Sequence, residues 1–348
     1  MDGLKISVLF YEDRSEGQAE HDEVVEQVAG ALASAGHQAA LLAVCDSLRE
    51  LLDKLDEQKP DLVFNLCETF AGRDSNEANV AAVLALSGIP FTGTGPAGMA
   101  LRQDKAITAK LLQFHGVRSP RFAIFDRNNL EFAGKMHFPL FVKPMRGDAS
   151  AGIHDSSLVT DYRSLIDRVN TIHDQLNDAA IVEEYIEGRE FYVGILGNNP
   201  PEALPVIELD FSKLPQQYPR IYGWEAKFDH TSPQYDAVNA IVATDLVPEV
   251  RSRIVMAAKE AVYALQVRDY ARVDIRLAAD GVPYVVEVNA NPYLERTSAF
   301  AIAALQAGMS YNTLIRRIVD IAWQCSADSG PAKGLACGLP AKPAKTQG

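Results

Sequence analysis

Cysteine is scarce in this chain. Cys45, Cys67, Cys325 and Cys337 are the four it has in 348 residues, and none stands at metal-ligand spacing. That argues against a zinc module and makes reduced thiols in a cytosol the expectation. Positive charge is also short: 33 Lys and Arg stand against 46 Asp and Glu, for a net charge of −13. Such a balance excludes a general nucleic-acid or membrane-surface partner, and a polyanionic ligand would need a local basic pocket. No run approaches the ~18 apolar residues of a membrane span, and no leader segment is expected at the start. The seven histidines are scattered with no zinc-helix i, i+4 spacing. No Ser-His-Asp or Cys-His arrangement and no internal repeat is present. Glycine is missing where a dinucleotide site needs it. The turn after the first strand-like segment, Tyr11 to Gly17, is acidic and nearly glycine-free, which excludes a nicotinamide-binding domain.

What is present is an alternation of strands and helices. Leu4–Phe10 reads as a buried strand, and Val24, Val28 and Leu32 recur at helical spacing before Gly36. Gln38–Val44 is a second strand, Ser47–Glu57 an amphipathic helix, Leu62–Leu66 a third strand, Asn76–Leu86 an Ala-rich helix and Ile89–Thr92 a short fourth strand. This βαβα order predicts a parallel sheet with helices on both faces over residues 1–95. A second region, 96–190, carries a helix at Asp104–Phe114 and strands near Arg121–Phe125, Phe138–Lys143, Ala180–Tyr185 and, at its end, Phe191–Leu196. A third, 191–325, contains a long connection from Asp210 to Leu246, a helix at Pro248–Leu265, a hairpin and closing helices at Thr297–Ala307 and Tyr311–Gln324. The Pro-, Lys- and Ala-rich stretch 326–348 is expected to be disordered.

The hairpin, Ala271 to Pro292 (ARVDIRLAADGVPYVVEVNANP), is the richest segment. With Asp280-Gly281 as a two-residue turn, cross-strand partners pair Asp274 with Glu287 and Arg272 with Asn289, all on one face. Val273, Ile275 and Leu277 against Tyr284, Val286 and Val288 then form a wall of core. Opposed carboxylates are unfavourable in a sheet unless a cation joins them, and Asp, Glu and Asn oxygens suit Mg²⁺. The alternative is a solvated face with one carboxylate paired to Arg272 or Arg276.

Other positions are individually weak. Lys143 ends a strand beside the small-residue loop Pro144–Gly152, whose backbone N–H groups could cradle phosphate. Lys105 could equally be a solvated helix lysine. Glu183 and Glu184 point to opposite faces of a strand. Glu190 could take ribose hydroxyls or only solvent.

Taken in order, these segments resemble the ATP-grasp superfamily, and within it the D-alanine–D-alanine ligases, from about Leu62 to Ile321. The matching pieces are PFTGTGP (Pro90–Pro96), Asp104-Lys105, FPLFVKP with its loop, IVEEYIEGREF (Ile181–Phe191), YGWEAKF (Tyr222–Phe228), RVDIRL, EVNANP and QAGMSYNTLIRRIV. The resemblance implies a three-lobed α/β ATP-grasp fold behind an N-terminal parallel α/β domain, and a cytoplasmic enzyme. It implies that Lys105, Lys143 and Lys227 hold ATP phosphates and that the loop around Ser150 closes on the γ-phosphate. Glu183, Glu184, Tyr185 and Ile186 would edge the adenine and Glu190 would bind ribose. Asp274, Glu287 and Asn289 would hold two Mg²⁺ ions, with Mn²⁺ as an alternative, and Arg272 would stabilise charge during acyl transfer. The implied reaction joins a small-molecule carboxylate to an amine through an acyl phosphate, with release of ADP; a homodimer is also implied.

The chain departs from that family around the substrate. The N-terminal Ser-Ala-Glu-type signature is missing, with Glu16, Glu20, Asp22 and Glu23 as replacements. The histidine-glycine segment reads Glu68-Thr69, the first loop serine falls at Ala149 and the lid tyrosine at Phe228. After the metal strand stand Tyr293, Leu294, Glu295, Arg296, Thr297 and Ser298, of which Arg296 and Ser298 could bind a carboxylate. The expectation is therefore an amide-forming ligase with an amino-acid or peptide substrate other than D-alanine. D-alanine–D-alanine ligase proper, a phosphorylating enzyme on the same fold and a nucleotide binder without turnover are the alternatives.

Overall fold

The computed structural model describes residues 3–14, 21–127, 129–132, 135–147 and 151–328. The expected tail, Ser150, Ala149, Glu16 and Glu20 lie outside these residues.

The first sheet is parallel, with order β2-β1-β3, built from β1 (Lys5–Tyr11), β2 (Gln38–Val44) and β3 (Leu62–Asn65). Side-chain alternation sends Ile6, Val8 and Phe10 to one face, against Val24, Val25 and Val28 of α1 (Val24–Ser34). Leu9, Leu42, Val44 and Val63 fill the other face, with Leu51 and Leu55 of α2 (Leu48–Gln58) and Leu84 of α3 (Glu77–Leu86). The expected fourth strand at Ile89–Thr92 reduces to a single parallel bridge between Phe91 and Val63. Pro90 has no N–H to extend the ladder, and Gly93, at φ +89°, turns the chain away.

An unanticipated helix follows, α4 (Pro96–Gln103), with proline in its first turn. Asp104 ends α4 in an extended conformation and caps α5 (Lys105–Phe114), its Oδ1 accepting from Ala106 N at 3.0 Å and Ile107 N at 2.9 Å. This corner puts Arg102 in the last turn of α4 and Lys105 first in α5. The second sheet is antiparallel, ordered β5-β4-β8-β6-β7, from β4 (Phe122–Phe125), β5 (Leu130–Phe132), β6 (Leu140–Pro144), β7 (Leu158–Val159) and β8 (Ala180–Glu184). It rests on Leu165 and Val169 of α6 (Tyr162–Thr171).

The third sheet has six strands. Its main path is β12-β11-β9-β13-β14, and β10 (Glu202–Ala203) adds to β9. The strands are β9 (Gly188–Leu196), β11 (Ile207–Asp210), β12 (Asn239–Val242), β13 (Tyr270–Ala278) and β14 (Pro283–Ala290). The long connection holds one short helix, α7 (Trp224–Lys227), and ends at α8 (Pro248–Ala264), which packs on the sheet. The hairpin differs from the expected one at two places. Gly281 N donates to Ala278 O at 2.8 Å and Ala278 N to Val282 O at 3.0 Å, so the turn has three residues with Gly281 at φ +74°. A bulge between Asp274 and Ile275 then takes up the displaced residue. Val285, not Val286, is consequently buried in the core with Val273, Ile275 and Val288, and Val286 turns toward a cleft. Asp274 still pairs with Glu287, and Arg272 with Asn289.

Helices α9 (Ala299–Gln306) and α10 (Tyr311–Asp328) close the chain, and Leu314, Ile315, Ile318 and Val319 of α10 cover the α1 face of the first sheet. No helix among the described residues is long and apolar enough to cross a membrane. Cys45 and Cys67 are free thiols, whereas Cys325 is disulfide-bonded, against the expectation of reduced thiols throughout.

Gly188 opens β9 at φ +149°, and a Cβ there would lie 1.9 Å from Leu277 O of β13. Gly188→Ala should therefore cost about 3 kcal/mol, through both strain and backbone clash. Urea denaturation measures it; an unchanged midpoint would show that the two strands can part without penalty.

Candidate active site

The second and third sheets face each other across a narrow cleft of about 100 Å³. It gathers Lys143 from β6, Glu183 and Glu184 from β8, Tyr185 and Ile186 after it, Glu190 from β9, Lys227 from α7, and Asp274 and Glu287 from the hairpin. These are all of the sequence-derived nucleotide positions except Lys105 and Ser150. Lys143 is buried, pairs with Glu183 at 2.9 Å and donates to Val286 O at 3.4 Å. Glu184 leaves the opposite side of β8 and accepts from His137 N at 3.1 Å. Glu190 pairs with Arg276 at 3.0 Å, and the Arg276 guanidinium stacks on Tyr185, 5.0 Å from its ring centre. Lys105 lies in the adjoining cleft with Arg146 and Gly147, and its ammonium donates to Gly147 O.

The hairpin supplies the charged centre. Arg272 holds Asp274 with two bonds, Nε–Oδ1 at 2.7 Å and Nη2–Oδ2 at 2.9 Å, and its guanidinium lies 4.4 Å from the centre of the Tyr192 ring. Asn289 donates to Asp274 Oδ2 at 3.1 Å, which leaves its carbonyl oxygen for another partner. Burial pushes the Asp274 carboxyl up to about 6; Arg272 pulls against this, and Glu287 and Glu190 add to the rise. Burial also holds the Lys227 ammonium below its ordinary value, helped by Arg272 and opposed by Glu287. A buried carboxylate whose charge is still disfavoured beside an arginine, opposite a second carboxylate and an amide oxygen, is an oxygen donor set that fits a divalent cation. Among the described residues no group of three His, Cys, Asp or Glu forms a metal cage, so phosphate oxygens and water would have to complete the shell.

Past Lys227 the cleft opens into a chamber of about 580 Å³, with Tyr222, Lys227 and Glu287 in both walls. Arg272 and Asn289 line the chamber, as do Asp22, Glu68, Asp74, Phe228 and Tyr293. Of the two acidic replacements among the described residues, Asp22 lines it; Tyr293 Oη donates to Asp22, 2.8 Å from each carboxylate oxygen. Glu23 precedes α1 instead and accepts from Gln27. Arg296 and Ser298 line none of these spaces: Arg296 stacks on Tyr311, 4.4 Å from its ring centre, and Ser298 caps α9. Sequence reasoning missed the pair Arg102–Glu77, buried on both sides in the chamber wall. Its signal was faint, since α4 itself was unexpected and the partners come from different helices.

The D-ala D-ala ligase C-terminus family matches residues 108–320. An uncharacterized protein of Sinorhizobium fredii is 35% identical over 86% of this chain and 87% of its own length. The chain belongs to the D-alanine–D-alanine ligase family. It is an ATP-dependent ligase of the class that forms carbon–nitrogen bonds. Other relatives are D-alanine–D-alanine ligase A of Bacillus cereus, 28% identical over 82% of this chain and 88% of that protein, and D-alanine–D-alanine ligase of Pelotomaculum thermopropionicum, 28% identical over 92% and 97%. The fold matches the crystal structure of D-alanine–D-alanine ligase from Bacillus anthracis complexed with ATP, with a TM-score of 0.69 and 22% identity over 94% of this chain and all of that one.

Breaking the Arg102–Glu77 pair from either side strands a buried charge. Glu77→Gln or Arg102→Met alone should cost about 3–5 kcal/mol, and the double variant clearly less than the sum. Denaturation of the four proteins in a double-mutant cycle checks this, and additive losses would remove the pair from the account.

Proposed function

We propose that the chain joins a small carboxylate to an amine through an acyl phosphate, at the expense of ATP, and that its substrates are not two D-alanines. The observation that carries the reading is the junction of the two spaces. Lys227 and Glu287 border both the nucleotide cleft and the chamber, with Arg272 just inside. A carboxylate lying in the chamber is therefore next to the γ-phosphate of a nucleotide lying in the cleft. Its oxygen attacks the γ-phosphorus, ADP leaves, and the amine attacks the acyl carbon and expels phosphate. Lys105, Lys143 and Lys227 bind and orient phosphate oxygens. Arg272, rigid between Asp274 and Tyr192, stabilises negative charge as the acyl carbon becomes tetrahedral. Asp274, Glu287 and Asn289 would hold Mg²⁺, which when bound neutralises charge on the transferring phosphoryl group. Tyr222 and Phe228, flanking α7, shield the acyl phosphate from water.

The chamber supports a substrate other than D-alanine. Phe228 has no hydroxyl to join a closing network, and Asp22, Glu68 and Tyr293 give the far wall two carboxyl groups and an aromatic ring. Each hydrogen bond left unmade at a closed site costs ~1–3 kcal/mol, so the two lost hydroxyls at Ala149 and Phe228 amount to orders of magnitude in rate.

Asp274→Asn and Glu287→Gln should abolish ATP turnover and weaken Mn²⁺ binding, followed by electron paramagnetic resonance; the melting temperature should hold or rise in Glu287→Gln and fall in Asp274→Asn, which strands the Arg272 guanidinium. Near-normal turnover with Mg²⁺ in either variant would sink the metal assignment. ADP release with D-alanine should fall well below that with other amino acids or dipeptides. D-alanine as the best substrate by kcat/KM, with D-alanyl-D-alanine as product, would return the protein to the reaction named for its relatives.

A further inference from the structure

A second cavity, of about 170 Å³, adjoins the chamber and shares Asp22, Glu68, Thr69, Glu77 and Tyr293 with it. It sits where β1 and β3 end, lined by Phe10 and Tyr11 on one strand and Asn65 and Leu66 on the other. In the first sheet the chain leaves β1 for β2 on one side and crosses back to β3 on the other, which puts the reversal of direction between β1 and β3. Crevices at such a switch point, outside the carboxyl ends of parallel strands, are where open α/β sheets take ligands. A volume of this order takes a benzene-sized group, which is the size of one amino-acid side chain.

Its polar groups are selective. Asn65 is 1% exposed; its Oδ1 accepts from Cys67 N at 3.2 Å, but its Nδ2 has no hydrogen-bond partner. A buried donor left unmade costs free energy that a ligand oxygen recovers. Asp22 is held by Val24 N at 2.9 Å and by Tyr293 Oη, and among the described residues no Lys, Arg or His pairs with it. Among the described residues no cation lines the cavity, although Asp22, Glu68 and the Arg102-paired Glu77 do. Such a space repels an anion and attracts an ammonium. Val24, Val25 and Leu294 supply apolar wall between these groups.

Resting on the ligase reading of the chamber, we propose that this cavity receives the amino-terminal residue of a peptide-like carboxylate substrate. The free ammonium lies at Asp22, the first carbonyl oxygen accepts from Asn65 Nδ2, and the side chain packs on Val24, Val25 and Leu294. The far carboxylate then reaches the chamber, where a single small amino acid would leave one space or the other empty. The cavity thereby sets selectivity for chain length and for an unblocked amino end.

The test is calorimetric binding to the full chain with Mg²⁺ and a non-hydrolysable ATP analogue. Probes are alanine, alanyl-alanine and leucyl-alanine in their L,L and D,D forms, and the N-acetylated dipeptides. A free dipeptide should bind at least ten-fold tighter than both alanine and its own acetylated form. Asn65→Asp keeps the acceptor for Cys67 and removes the donor; it should lower the dipeptide-over-alanine preference about ten-fold. Asp22→Asn should erase the discrimination between free and acetylated dipeptides, and it stands as the test if the buried Asn65 variant does not fold. Equal binding of alanine and dipeptides, indifference to acetylation, no binding of any probe, or unchanged preferences in Asp22→Asn would each overturn the proposal. ADP release and amide formation are then followed with the same dipeptides and a second amine. Selective binding without turnover would leave the cavity assignment standing and overturn the ligase reading instead.

Discussion

Asp274 and Glu287 face each other across neighbouring strands, where like charges at ~4–5 Å and an effective dielectric near 20 repel by about 3–4 kcal/mol. Folding tolerates this because Arg272, two residues from Asp274 and therefore on the same face, takes that carboxylate with both arms of its guanidinium. The arrangement is compensated but still uneasy, and burial holds the Asp274 proton more tightly than an ordinary aspartate does. A second source of positive charge would relieve it. The face lacks one positive charge, which is what the proposed cation would supply. Tyr192 fixes the guanidinium from the neighbouring strand, so the group that balances Asp274 also lies rigidly at the chamber mouth.

The two spaces share few residues, and those few decide what can react with what. Lys227 projects from a single helical turn, α7, whose first residue is tied by Trp224 N to Ile153 O at 2.8 Å. His154 and Glu225 add a contact of 3.0 Å between the same two segments. The segment at Ile153 and His154 and the long connection are therefore coupled, and any movement of one drags the lysine with it.

Much of this was legible in the amino-acid order because strand alternation and turn residues are local. The Asp274–Glu287 pairing came out right although both the turn and the ladder were read too simply. A three-residue turn shifts the register by one, and the bulge shifts it back, so the two departures cancel at the carboxylates but not at Val285 and Val286. Bulges leave no sequence signature of their own, which is why the buried valine was misassigned. The positions that the resemblance assigns to a nucleotide lie far apart in the chain, and most of them line one cleft. The chamber was not legible. Asp22, Glu68, Arg102 and Tyr293 come from four separate elements, and nothing in their neighbours announces that they meet. Arg296 and Ser298 were chosen for their chemistry, but local needs claim them: one stacks on an aromatic ring and the other caps a helix.

The position of α10 bears on how the chain is made. Its apolar face completes the core over β1 and α1, yet it is the last element described. Between Asn65, at the end of β3, and Tyr311, at the start of α10, a ribosome adding ~5–20 residues per second spends roughly 10–50 s. For that interval the nascent first sheet presents Ile6, Val8 and Phe10, partly covered by α1 alone, to whatever else is in the cell. The earliest part of the protein to be synthesised is among the last to be sealed.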